Sequence, residues 1–110
     1  MKTKKIRTAL VIGGGSGMGR SATTALGASG IQVFVADLDV AAARETVSNH
    51  LGDQGRGEAF HVDVSRSDSV GALFQAVRER VDRLDLLVHT AAMLGKTVFV
   101  EDMTDEEWHK

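Results

Sequence analysis

The 110-residue chain contains no cysteine, which excludes disulfides, a thiolate nucleophile and thiolate-held metal, and fits a reducing compartment such as the cytoplasm. Tyrosine is also absent, and Asn49 is the only asparagine. No stretch approaches the ~20 consecutive apolar residues of a membrane span. The basic start, Met1–Arg7, leads into an apolar run, Ala9–Ile12, that stops at glycines. That run is too short for the core of a signal peptide and reads as the approach to a first strand. A large charge of one sign is lacking too: the formal net charge is −2, which gives no ground for nucleic acid or a membrane surface as partner. What is left is 43% hydrophobic and 25% charged residues, the balance of one globular domain spanning residues 1–110.

Four short apolar runs punctuate the chain: TALVI (Thr8–Ile12), IQVFVAD (Ile31–Asp37), EAFHVDV (Glu58–Val64) and LDLLVHT (Leu84–Thr90). Their length and their richness in Val, Ile and Leu suit strands of a parallel sheet buried on both faces. Between them the apolar period becomes helical. Met18, Ala22, Ala25 and Leu26 share one face, with Gly30 as a stop. Val40, Ala43, Val47 and Leu51 form a second stripe, with Asp39 as N-cap and Gly52 as the terminal glycine. Val70, Leu73, Phe74, Val77 and Val81 form a third, opened by Ser67. Strand and helix in strict alternation define an α/β, doubly wound parallel sheet with right-handed crossovers.

Near the end, MTDEEW (Met103–Trp108) carries the signals of a helix start. Thr104 and Glu107 form a capping box, Met103 can staple to Trp108, and Asp105 and Glu106 suit the positive end of the helix dipole. A start signal this close to Lys110 has too few residues behind it to make a helix, so the chain reads as truncated. A sheet truncated after its fourth strand leaves LDLLVHT as an unprotected edge, from which poor stability and self-association are expected.

The densest feature is VIGGGSGMGR (Val11–Arg20), with Gly13, Gly14, Gly15, Gly17 and Gly19 inside seven positions. Glycine costs backbone entropy, so a cluster of it is there for shape or for close approach. The cluster falls between first strand and first helix, where backbone N–H groups and the helix dipole favour a phosphate. Asp37 ends the second strand 20 residues after Gly17, where a carboxylate can accept both hydroxyls of an adenosine ribose. Asp63 closes the third strand on the same edge of the sheet.

These residues resemble the short-chain dehydrogenase/reductase family. The family's first turn, T-G-x-x-x-G-x-G, is met by Gly13, Gly17 and Gly19, with Ile12 in place of the threonine. VADLD (Val35–Asp39) is similar to the family's NAD-selecting strand end, and HVDVS (His61–Ser65) to its adenine-contacting pair. LDLLVHTAAM stands where the family has N-N-A-G: His89 and Thr90 replace the asparagines, Ala91 is kept and Ala92 replaces glycine. The resemblance implies a Rossmann-type sheet of order 3-2-1-4, truncated after the fourth strand. It implies NAD as cofactor, held by Gly13, Ser16, Gly17, Met18, Gly19, Asp37, Leu38, Asp63, Val64, His89 and Ala91. It also implies a parent enzyme moving hydride between NAD and a small-molecule secondary alcohol or ketone, with no nucleic-acid or membrane partner, and a homo-oligomer.

The family's proton chemistry uses a tyrosine, a lysine, a serine and a fourth-helix asparagine. With no tyrosine, and with Asn49 on the second helix, the resemblance places the catalytic half beyond Lys110 and assigns no catalytic residue here. Two other readings stand beside it. GGSGMGRS (Gly14–Ser21) nearly matches the P-loop of nucleotide triphosphatases, with Arg20 where that loop needs lysine. A non-catalytic nucleotide-binding or subunit-interaction fragment is the other. His61 and Asp63 share a strand face, but no further ligand stands at a metal-binding spacing, so no metal is expected.

Overall fold

The structure, a computed structural model, describes residues 5–51 and 55–90 and the backbone of 96–99. Within these, the order is β1 (Thr8–Ile12), α1 (Gly17–Ala28), β2 (Gln32–Asp37), α2 (Val40–His50), β3 (Arg56–His61), α3 (Ser67–Arg80), β4 (Leu86–His89) and β5 (Lys96–Phe99). The sheet runs β3-β2-β1-β4-β5. Its first four strands are parallel, in the expected order 3-2-1-4, with Thr8 opposite Gln32, Gln32 opposite Arg56 and Ala9 opposite Leu86.

The sheet does not stop at β4. Lys96–Phe99 pairs antiparallel to it, from Leu86↔Phe99 to His89↔Lys96, so β4 is an interior strand and the expected bare edge is not there. Four residues carry too little alternation to stand out from a loop, yet they supply the ladder partners that β4 otherwise lacks.

Alternation along the strands builds a core on each face. Ala9, Val11, Val33, Val35, Leu86 and Val88 pack toward α1 and α2, with Ala43 and Leu51. Leu10, Ile12, Phe34 and Ala36 pack toward α3, with Leu73, Phe74 and Val77. Leu10, Val33, Phe34 and Val35 are fully buried, and each such side chain stabilises the fold by about 1.5–3 kcal/mol relative to exposure.

The helix faces differ in part from the apolar stripes. On α1, Met18 is 69% exposed and Ala25 is exposed too, while Gly19, Thr23 and Gly27 are buried. The small side chains win because α1 lies close to its neighbours: a Cβ on Gly27 meets the Leu51 carbonyl oxygen at 2.6 Å. Thr23 tolerates burial because its hydroxyl donates to the Gly19 carbonyl one turn back. On α2, Thr46 is fully buried beside Ala43. Asp39 caps α2 as expected, accepting from the Ala42 N–H at 3.1 Å. Ser67 is the first residue of α3, and Arg66 holds the cap position. The expected helix start at Met103–Trp108 and the glycine stop at Gly52 lie outside the described residues.

The chain descends from β3 through α3 to β4 on the far side of β1. Strand order therefore reverses between β1 and β4, and the carboxyl ends of these strands open a crevice. Asp85, entering β4, ties the opposite end of the sheet: its Oδ2 accepts from the Arg7 and Thr8 N–H groups at 2.8 and 3.2 Å, and its Oδ1 meets Arg83 Nε at 2.8 Å.

Candidate functional site

At the crevice lies a cleft of about 440 Å³ lined by Gly13, Ser16, Gly17, Met18, Asp37, Leu38, Val62, Asp63, Val64 and Thr90. That volume is within the range of small-molecule sites. Eight of the expected site residues stand here: Gly13, Ser16, Gly17, Met18, Asp37, Leu38, Asp63 and Val64. Thr90, read only as a replaced asparagine, belongs with them.

The glycine loop begins where β1 ends. Gly13 turns with φ +86°, and the Gly13 and Gly14 N–H groups both donate to the Ala36 carbonyl at 2.7 and 3.2 Å. This pins the loop to the end of β2. Gly17 opens α1 with φ +55°, and Ser16 at the N-cap makes no side-chain capping bond. The first-turn N–H groups of α1 are thus left for an outside acceptor, at the positive end of the helix dipole. Gly19 lies one step behind: a Cβ there collides with the Gly13 backbone, so its glycine serves the close return of helix onto loop.

Asp37 stands at the end of β2 with both carboxylate oxygens engaged. Oδ2 accepts from the Gly15 N–H at 2.8 Å, and Oδ1 accepts from the Asp39 N–H at 3.0 Å. Each oxygen keeps further acceptor capacity. Gly15 is required at this contact, since a Cβ on it stands 2.7 Å from Asp37 Oδ2 and 2.8 Å from the Ala42 Cβ.

Asp63 lies two residues beyond β3, which ends at His61 rather than running on to Val64. Its N–H donates to Ser69 Oγ at 2.9 Å, and its Oδ1 accepts from the Ser65 N–H and hydroxyl at 3.0 and 2.6 Å. The Ser65 hydroxyl, then the Ser65 N–H, holds this carboxyl below its ordinary value, against a small opposing effect of burial. Asp63 is therefore ionised at neutral pH and presents an acceptor. Leu38 and Val64 are 65% and 42% exposed, two apolar side chains flanking a cleft whose polar groups are carboxylates and hydroxyls.

Thr90 closes the far wall. Its hydroxyl contacts the Ile12 and Gly13 carbonyls at 3.2 and 3.1 Å, and its N–H donates to Ile12. His89 is not among the cleft-lining residues. It continues the Leu87 face of β4, toward α3, and its Nε2 is buried with no hydrogen-bond partner among the described residues. Ala91 lies outside the described residues.

Arg20 sits behind the loop. Its Nη2 donates to the Gly15 carbonyl at 2.7 Å and its Nε to Thr46 Oγ1 at 3.0 Å. It is not one of the cleft-lining residues, so the triphosphatase reading loses the cation that it needs over the phosphates. Sequence reading missed this role because only the register of α1 on α2 reveals it. Among the described residues, no three His, Asp or Glu side chains converge as metal ligands, and no helix is long and apolar enough to cross a membrane.

A glycine loop at the first strand–helix turn, an acidic residue ending β2 and a cleft at the point of strand reversal define a Rossmann-type dinucleotide-binding fold. Residues 7–110 match the family model described as short chain dehydrogenase. The chain belongs to the short chain dehydrogenase family. It is 34% identical over 105 residues to the short chain dehydrogenase/reductase astE of Aspergillus oryzae, covering 94% of this chain and 40% of that protein. It is also 34% identical over 109 residues to the mouse (3R)-3-hydroxyacyl-CoA dehydrogenase, covering 93% and 42%. Among solved structures, the RhlG/NADP active-site complex of Pseudomonas aeruginosa is 35% identical with a TM-score of 0.70, covering 76% of this chain and 33% of that one. The chain thus spans well under half the length of these relatives.

Proposed function

We propose that the cleft holds the adenosine half of NAD, and that the parent protein moves hydride between a secondary alcohol or ketone and that cofactor. The observation that carries the reading is Asp37, anchored to the loop through the Gly15 N–H at 2.8 Å with acceptor capacity left for the ribose hydroxyls. The residues fit the group. Glycines admit a pyrophosphate against the first turn of α1, Leu38 and Val64 offer apolar surface to a flat base, and the Asp63 carboxylate can accept from its amino group. When bound, the nicotinamide supplies the hydride acceptor. This chain's own residues bind and orient the other end of the molecule.

RhlG was solved as a complex with NADP, so likeness to it supports a nicotinamide nucleotide without choosing between the two. The choice of NAD rests on charge. Asp37 and Asp63 line the cleft, and no Lys or Arg does among the described residues. A 2′-phosphate placed beside Asp37 meets a like charge without a neutralising cation. The substrate is a small molecule, and the parent a cytoplasmic homo-oligomer, in the same reading. Titration calorimetry with NADH and NADPH tests it: NADH binding at least about tenfold tighter, a difference of about 1.4 kcal/mol, is expected, and tighter NADPH binding contradicts it.

A further inference from the structure

Two side chains behind the glycine loop turn toward its carbonyls. The buried Thr46 hydroxyl meets the Gly14 carbonyl at 2.8 Å and the Ala42 carbonyl at 3.1 Å. Arg20 binds that same hydroxyl through Nε at 3.0 Å and the Gly15 carbonyl through Nη2 at 2.7 Å. Arg20 Nη1 also stands 4.0 Å from Glu45, and its stem starts on α1 while Thr46 belongs to α2. The loop is thus gripped from both helices at two successive carbonyls.

A trans peptide sends its C=O and N–H in opposite directions. Holding the Gly14 carbonyl back on Thr46 therefore turns the Gly15 N–H forward, and that N–H is the one that donates to Asp37 Oδ2 at 2.8 Å. Holding the Gly15 carbonyl on Arg20 does the same for the N–H of Ser16, a cleft-lining residue. We propose that Arg20 and Thr46 are a positioning pair that orients the Asp37 carboxylate through the Gly14–Gly15 peptide, and so sets discrimination between a free and a phosphorylated 2′-hydroxyl. This rests on the cofactor reading above. The pair touches no cofactor; it works through one peptide plane. Arg20 suits the task because its planar fork reaches two acceptors at once, which a lysine ammonium at that distance does not.

The experiment is a double-mutant cycle on the whole 110-residue chain, read by titration calorimetry with NADH and NADPH. The quantity is the ratio of the two dissociation constants in the unmutated chain, Thr46→Val, Asp37→Asn and the double variant. Thr46→Val is expected to lower the NADH preference about tenfold, the effect of one lost hydrogen bond to a charge-assisted network. In the Asp37→Asn background the same substitution is expected to leave the ratio within about twofold, because the two act in series. Thr46→Ser, which keeps the hydroxyl, restores the preference, and Arg20→Met reproduces the loss. Equal weakening of NADH and NADPH by Thr46→Val, or an undiminished effect beside Asp37→Asn, overturns the inference and leaves the pair a structural brace. If Thr46→Val fails to fold by circular dichroism, the Arg20→Met series, at a side chain 26% exposed, decides on the same criteria. Absence of NADH binding to the unmutated chain overturns the cofactor reading beneath it.

Discussion

The Gly15 N–H donates to Asp37 Oδ2 at 2.8 Å across 22 residues of sequence, joining the glycine loop to the carboxylate that ends β2. The two positions constrain each other. A Cβ on Gly15 falls on that carboxylate, and without Asp37 the Gly15 N–H loses its acceptor. The contacts proposed for pyrophosphate and for ribose are therefore mechanically linked.

Asp37→Ala removes the two oxygens proposed to face the ribose and the charge proposed to repel a 2′-phosphate. NADH affinity is expected to fall about tenfold or more, and NADPH affinity to rise relative to it, as loss of a charged hydrogen-bond partner predicts. Paired titrations with the two nucleotides check this. An unchanged preference contradicts the assignment of Asp37.

The loop glycines separate by cause. Gly17 has φ +55° but open space around it, whereas Gly19 faces the Gly13 backbone. Gly17→Ala is expected to cost about 1–2 kcal/mol of backbone strain. Gly19→Ala forces loop and helix apart and is expected to cost more, about 3 kcal/mol or above, as overpacking against rigid backbone does. Urea unfolding of both variants gives the order, and the reverse order contradicts the geometry.

At the other end of the sheet, the value of Asp85 lies in the backbone it holds. Asp85→Ala leaves the Arg7 and Thr8 N–H groups without their acceptor and is expected to destabilise by about 3 kcal/mol. Arg83→Ala, at a side chain 59% exposed, is expected to cost under about 1 kcal/mol. Equal losses in chemical denaturation show instead that the ion pair dominates.

Glu58 and Arg80 tie edge strand β3 to α3 through two contacts of 2.9 and 2.7 Å. The Arg80 hydrogen bond, opposed by burial and helped by the Arg80 charge, holds the Glu58 carboxyl below its ordinary value of 4.5. A depressed carboxyl contributes stability that is present above its unfolded-state value and is lost as pH falls through the folded one. The melting temperature should therefore drop on acidification below about pH 4.5, and Glu58→Gln should make that drop shallower. The effect is small, because both partners are more than a third exposed. A residual slope remains in the variant, since Asp63 and Asp68 are depressed as well. A steeper acid limb in Glu58→Gln contradicts the sign.

What the sequence made legible was periodic or motif-bound. The strands showed as runs such as Val33 to Val35, the cap as Asp39, and the cleft as Gly13, Gly17, Asp37 and Asp63. What it hid was polar burial. Thr23 and Thr46 fall outside the apolar stripes, yet the Thr23 hydroxyl returns to the Gly19 carbonyl one turn back and the Thr46 hydroxyl meets the Gly14 and Ala42 carbonyls, so both enter the interior at little cost. Met18, placed both on the apolar stripe of the first helix and among the cofactor residues, lines the cleft, because Gly19 and Gly27 bring α1 so close to its neighbours that its buried face is made of small residues. The turn of His89 away from the cleft follows from strand alternation once Leu87 is placed. β5 escaped because four residues carry no period.

The most direct measurement is a ¹⁵N–¹H correlation spectrum of the labelled chain titrated with NADH. The account predicts shifts concentrated in Gly13 to Gly19, Asp37, Leu38, Asp63, Val64 and Thr90, with the Gly15 amide among the largest. Shifts centred instead on the Lys5, Arg7 and Arg83 hollow at the opposite end of the sheet, or no saturable shift at the glycine loop, contradict it.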